Sequence, residues 1–143
     1  MLLDIVKTSK QSFDLSIIIP VYNEALTVSE LLEQVYDFDL GKIKRQLIIV
    51  ESNSHDGSRE IVLEFARNKS DVTVILQPRP MGKGTAVRSG LKLATGEIIL
   101  IQDADLEYSP KDYIKMLQPL INDKADVVYG SRYLKGDSRK VLF

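Results

Sequence analysis

Asp103 and Asp105 stand two residues apart where the chain leaves an apolar run, so both carboxylates can point to one side. Carboxylates that close repel each other unless a cation sits with them. A hard divalent cation bridging them to a diphosphate would offset the repulsion and neutralise a leaving group. Glu107 keeps the same parity and is a candidate third ligand. A solvated acidic turn capping the next helix would show the same pattern. Composition narrows the cation: there is no cysteine and one histidine, His55. A multi-histidine or thiolate site within the chain is therefore excluded, and oxygen ligands point to Mg²⁺ or Mn²⁺.

Other residue groups have weaker chemistry. Gly82-Lys83-Gly84 opens a helical pattern, where glycines permit close backbone approach and a helix start favours anions. It is neither a Walker loop nor a GxGxxG fingerprint, and a plain turn fits it as well. Tyr22 can stack on a nucleobase and Glu24 can accept hydrogen bonds from base or ribose. Alternatively, Tyr22 packs in its loop and Glu24 serves the helix start. Arg132 can grip a phosphate or pair with a surface acid. His55, in a consecutive Ser-His-Asp string, lacks the spacing of a catalytic triad and reads as a loop residue.

The elements that must position these groups alternate along the chain. Apolar, β-branched runs lie at Leu15–Ile19 ending at Pro20, at Leu47–Val50 ending at Glu51, and at Val72–Leu76. Two more lie at Glu97–Gln102, running into Asp103, and at Asp126–Tyr129, stopping at Gly130. Such runs predict strands covered on both faces. Between them lie four helical patterns. The first takes Asn23 as N-cap, with Leu26, Leu31, Leu32 and Val35 on its apolar face. The second starts near Asp56-Gly57-Ser58 and carries Ile61, Val62, Phe65 and Ala66. The third follows Gly82 with Val87, Leu91 and Ala94, weakened by Gly90, and the fourth follows Ser109-Pro110. Strand–helix alternation predicts a mostly parallel α/β sheet with right-handed crossovers and helices on both faces. Its ligands belong at the carboxyl ends of the strands, where Pro20–Glu24, Glu51–Gly57 and Asp103–Glu107 fall.

The chain has 143 residues, 44% of them apolar, enough for one domain with a core. Its 19 basic and 20 acidic residues argue against a nucleic-acid binder with a basic surface. No apolar run approaches the roughly 18–20 residues a membrane helix needs. Nor does Met1–Asp14 read as a signal peptide. The expectation is a cytoplasmic protein, peripheral to the membrane at most. Residues 1–14 read as an extension and 15–143 as one domain. The apolar ending Val141-Leu142-Phe143, without a helix to bury it, leads us to expect a longer natural protein.

Taken together, five segments in order resemble the family 2 glycosyltransferases of Rossmann-like GT-A fold. They are Ser16–Glu24, Ser54–Ser58, Gly82–Gly90, Asp103–Tyr108 and Gly130-Ser131-Arg132-Tyr133. Within that family the metal segment and Gly-Ser-Arg are similar to the dolichyl- or polyprenyl-phosphate sugar synthases. The resemblance implies a GDP- or UDP-linked sugar as donor, with Pro20, Tyr22, Glu24 and Glu51 around the nucleoside and Gly82 and Lys83 nearby. It implies that Asp103 and Asp105 meet the metal and diphosphate, joined by Glu107. Arg132 would hold the phosphate of a lipid acceptor at the membrane surface, a glycan being the other acceptor class. The implied reaction inverts the anomeric centre by in-line displacement.

Two departures bear on nucleotide identity. Glu51-Ser52 stands where the family usually has paired aspartates, and Pro80 where Asn is common. No catalytic base is visible, and a phosphate acceptor would need none. The oligomeric state is not legible. Two rival readings are a sugar-phosphate nucleotidyltransferase and a nucleotide-sugar-binding module without turnover. The first would want a glycine-rich basic loop after the first strand, where this chain has Pro20–Glu24.

Overall fold

The computed structural model describes residues 13–130. They fall into two compact units that divide between Pro110 and Lys111. In the first unit the elements run β1 (Leu15–Val21), α1 (Val28–Asp37), β2 (Arg45–Glu51), α2 (Ser58–Ala66), β3 (Val72–Leu76), α3 (Lys83–Leu91) and β4 (Ile98–Ile101). A 3₁₀ turn at Pro110–Asp112 leads into α4 (Tyr113–Ile121), the helix of the second unit.

The strands form one parallel sheet in the order β3-β2-β1-β4. The chain steps from β1 to β2 to β3 in one direction and then returns past β1 to β4. With right-handed crossovers, that reversal places α1 and α2 on one face and α3 on the other. Consecutive residues Ile17, Ile18 and Ile19, and likewise Leu47, Ile48 and Ile49, are all fully buried. Since alternate side chains point to opposite faces, the centre of the sheet is covered on both, as the unbroken apolar runs predict. Fully burying each such side chain contributes about 1.5–3 kcal/mol.

β1 runs through Pro20, which pairs with Val50. The Ile18 carbonyl accepts from Gln102 on the β4 side, whereas the Val21 carbonyl accepts from Ser52 on the β2 side. Alternation therefore aims the Pro20 nitrogen toward β4, beyond the last paired residue Ile101. The missing N–H falls where no ladder bond is required.

Three expectations are corrected. Asp126–Tyr129 forms no strand, and Val127 and Tyr129 are 62% and 87% exposed. A strand exists only through its ladder, and this apolar run has no paired edge among the described residues. Asn23 does not cap α1: it adopts φ 54°, residues 25–27 form a turn, and the helix begins at Val28. Leu26 is consequently 99% exposed, and Val28, Leu31, Leu32 and Val35 make the buried stripe. Finally, β4 is not covered on both faces, for Ile99 and Ile101 are exposed.

Gly90 has a reason that helix propensity hides. A Cβ there would lie 2.6 Å from Ile18 Cγ2, so α3 sits on β1 at a distance that only glycine allows. The cluster of Ile18, Ile48, Val50 and Ala86 seals that contact.

Candidate functional site

At the carboxyl end of the sheet, between β1 and β4, lies a cavity of about 390 Å³. That is the switch point of strand order, where open α/β sheets bind ligands. Pro20, Tyr22 and Glu24 enter from β1 and its loop, Gly82 and Lys83 from the start of α3, and Asp103 and Asp105 from beyond β4. Val21, Ser52, Pro80, Ala86 and Ala104 complete the lining. A hollow of about 660 Å³ around Phe13, Lys44, Arg45 and Asp71 lies at the amino ends of β1 and β2. Its position makes it the weaker candidate, and Arg45 is already committed there to the carbonyls of Phe38 and Tyr36.

The loop carrying Tyr22 and Glu24 is fixed from the next strand's loop. Ser54 Oγ accepts from Asn23 N at 2.9 Å, and Asn23 Oδ1 accepts from His55 N at 3.0 Å. Ser58 Oγ accepts from Glu24 N at 2.8 Å while donating to Asp56 Oδ1 at 2.6 Å. Asp56 Oδ2 accepts from Ala25 N at 3.0 Å. The hydrogen bonds from the Ser58 hydroxyl and the Ala25 N–H hold the Asp56 carboxyl below its ordinary range. The Ser54–Ser58 segment thus acts by shaping the β1 loop. The sequence marks this segment as a helix start and a family segment, but bonds 31 to 34 residues apart leave no local pattern that shows its hold on the β1 loop.

Gly82 precedes α3 with φ 81°, and its carbonyl accepts from Thr85 N and Ala86 N, both at 3.1 Å. The left-handed φ is the reason for glycine there. Lys83, the first helical residue, forms an ion pair with Asp103 Oδ1. Ser52 sits at the cavity floor with its hydroxyl bonded to Gln77 Oε1 at 2.8 Å.

Glu51 and Glu107 do not line this cavity. Glu51 is fully buried, its carboxylate accepting from Ser54 N at 2.6 Å, Asn53 N at 3.2 Å and Arg59 Nε at 2.5 Å. Burial pushes its carboxyl up, but the bonds from Ser54 and the Arg59 guanidinium outweigh it and hold the carboxyl below the usual range. The parity expected to align Glu107 with Asp105 is broken at Leu106, which takes φ 61°. The Glu107 N–H instead turns back to donate to Asp105 Oδ1 at 3.0 Å. Arg132 lies outside the described residues.

Two carboxylates in one cavity suit a hard cation, provided further oxygens come from elsewhere. Among the described residues no three acidic, histidine or cysteine side chains converge into a ready cage. A diphosphate entering the same cavity would supply such oxygens, and Lys83 stands beside it with a positive charge. Among the described residues no helix is long and apolar enough to cross a membrane.

Residues 16–142 match the profile described as Glycosyl transferase family 2. A dolichyl-phosphate beta-glucosyltransferase of Trichomonas vaginalis is 33% identical over 138 residues, 88% of this chain and 42% of its own. A mannosyltransferase of Pyrobaculum calidifontis, solved with GDP-Man and Mn²⁺, superposes with TM-score 0.63 at 32% identity over 73% of this chain and 31% of its own. TarS of S. aureus, solved with UDP-GlcNAc, gives TM-score 0.65 at 30% identity over 77% of this chain and 31% of its own. The chain spans less than half the length of each of these proteins.

Proposed function

The chain belongs to glycosyl transferase family 2, with a GT-A fold, and from that premise we propose that its switch-point cavity binds a nucleotide-sugar donor together with a divalent cation. The observation that carries this reading is the meeting of Tyr22, Glu24, Lys83, Asp103 and Asp105 in one cavity. Tyr22, 46% exposed, offers a ring face to the base, and Glu24 offers a carboxylate to donor hydroxyls. Lys83 leaves Asp103 for the diphosphate, and Asp103 and Asp105 hold the cation, Mg²⁺ or Mn²⁺. When bound, the cation would stabilise the negative charge of the departing nucleoside diphosphate.

The sugar then passes with inversion to an acceptor. A dolichyl or polyprenyl phosphate at a membrane surface is the favoured acceptor class, since a relative that resembles 88% of this chain is named for that transfer. Such an acceptor is already anionic, so a general base is not required of the residues around the cavity. Arg132 is assigned to the acceptor phosphate.

Calorimetric titration of the chain with GDP-mannose, UDP-glucose and UDP-GlcNAc, each with and without Mn²⁺, tests the donor site. Binding of one or more donors that requires Mn²⁺ is expected, and the preferred nucleotide follows from the same data. Binding to none of them by the folded chain overturns the reading.

A further inference from the structure

We infer that Thr27 is a positioning residue for the cation site, tying the acidic loop after β4 to the nucleoside-binding loop after β1. The inference rests on the function proposed above. Thr27 stands directly before α1, where a threonine hydroxyl ordinarily accepts a helix N–H. Here it makes no such cap bond. It donates instead to the carbonyl oxygen of Ala104 at 2.7 Å, across 77 residues of sequence.

The competing acceptors are close but longer. Glu24 Oε2 lies 3.2 Å from the same hydroxyl and the Glu24 carbonyl 3.4 Å. A hydroxyl has one proton, and the shortest of the three contacts takes it. The Glu24 carboxylate thereby stays available as an acceptor toward the cavity it lines.

Ala104 sits between the two aspartates and is 4% exposed. The preceding carbonyl, of Asp103, accepts from Gln102 Nε2 at 2.9 Å, and Gln102 is itself 2% exposed. Successive carbonyls of the acidic loop are thus held by two side chains. Gln102 acts from within the loop, while Thr27 reaches it from the start of α1. Because the Ala104 carbonyl belongs to the peptide that leads into Asp105, fixing it fixes where the Asp105 carboxylate starts. Removing the hydroxyl leaves a buried carbonyl unpaired and frees that peptide to rotate.

The test uses the 143-residue chain with Mn²⁺ and either GDP or UDP. Free Mn²⁺ is read by electron paramagnetic resonance, and melting curves read stability separately. Thr27→Val keeps the branched shape and loses the hydroxyl; Thr27→Ser keeps the hydroxyl. In the folded protein, Thr27→Val is expected to weaken nucleotide-dependent Mn²⁺ binding about threefold to tenfold, the effect of losing one hydrogen bond of ordinary strength. Thr27→Ser is expected to bind within about twofold of wild type, since it restores that bond. A purely structural role would lower the melting temperature and leave the affinity of the folded protein unchanged, which would overturn the inference. So would a Thr27→Ser protein as weak as Thr27→Val. Should valine cost the fold, Thr27→Ala is read by the same criteria. Wild type that binds Mn²⁺ with neither nucleotide overturns the donor-site reading itself, and this inference with it.

Discussion

The Asp56 carboxylate accepts the backbone N–H of Ala25 at 3.0 Å, so the loop after β2 dictates the shape of the loop after β1. Asp56 contributes no atom to the cavity, yet Tyr22 and Glu24 are presented through the backbone it holds. Its folded-state carboxyl is held below the ordinary range by the Ser58 hydroxyl and the Ala25 N–H. A depressed carboxylate pKa stabilises the fold above the unfolded value, and that stabilisation is lost as pH falls through the folded value. Melting temperature should therefore be flat above about pH 5 and drop below about pH 4, the ordinary aspartate range. Asp56→Asn should lie below wild type at neutral pH and show a shallower acid limb, with Glu51 supplying the part that remains.

Lys83 and Asp103 make a different kind of pair. Their side chains are 58% and 28% exposed, and an ion pair so solvated adds little to stability. Its proposed value lies in placing a positive charge where a diphosphate would arrive. Lys83→Gln is expected to leave the melting temperature nearly unchanged and to weaken GDP or UDP binding about tenfold, as loss of a charge-assisted contact does. Calorimetry at two salt concentrations checks it, because the variant should also lose part of the salt dependence.

Gly90→Ala sets two effects against each other. In an exposed helix interior alanine is better than glycine by about 1 kcal/mol. At this position the added methyl would meet Ile18 Cγ2 at 2.6 Å. Overpacking a close contact costs about 1–3 kcal/mol, so net destabilisation is expected. Denaturant unfolding of Gly90→Ala against wild type reads it, and a raised midpoint would contradict the expectation.

The strands were legible in the sequence because their apolar, β-branched runs are local and continuous, as at Ile17–Ile19 and Leu47–Val50. The position of Asp103 and Asp105 was legible too, since the end of an unbroken apolar run marks the carboxyl end of a strand. What could not be read depends on partners distant in sequence. Val127 has the residue type of a strand, but only a paired edge makes one. Gly90 reads as a weak helix residue until Ile18 is seen against it. Ser54, Asp56 and Ser58 read as a helix start and a family segment, and their bonds to Asn23, Glu24 and Ala25 appear only in the fold. The placement of Glu107 was not legible for a local reason: parity holds only while the backbone stays extended, and Leu106 leaves that conformation.

Asp105, with Asp103, is proposed to hold a divalent cation through which the nucleoside diphosphate binds. Parallel titration of wild type and Asp105→Ala with GDP and UDP, in Mn²⁺ and in chelator, tests it most directly. Wild type is expected to bind in Mn²⁺ and to lose at least about tenfold in chelator, while Asp105→Ala stays folded and binds equally weakly in both. Equal, Mn²⁺-enhanced binding by the two proteins would contradict it.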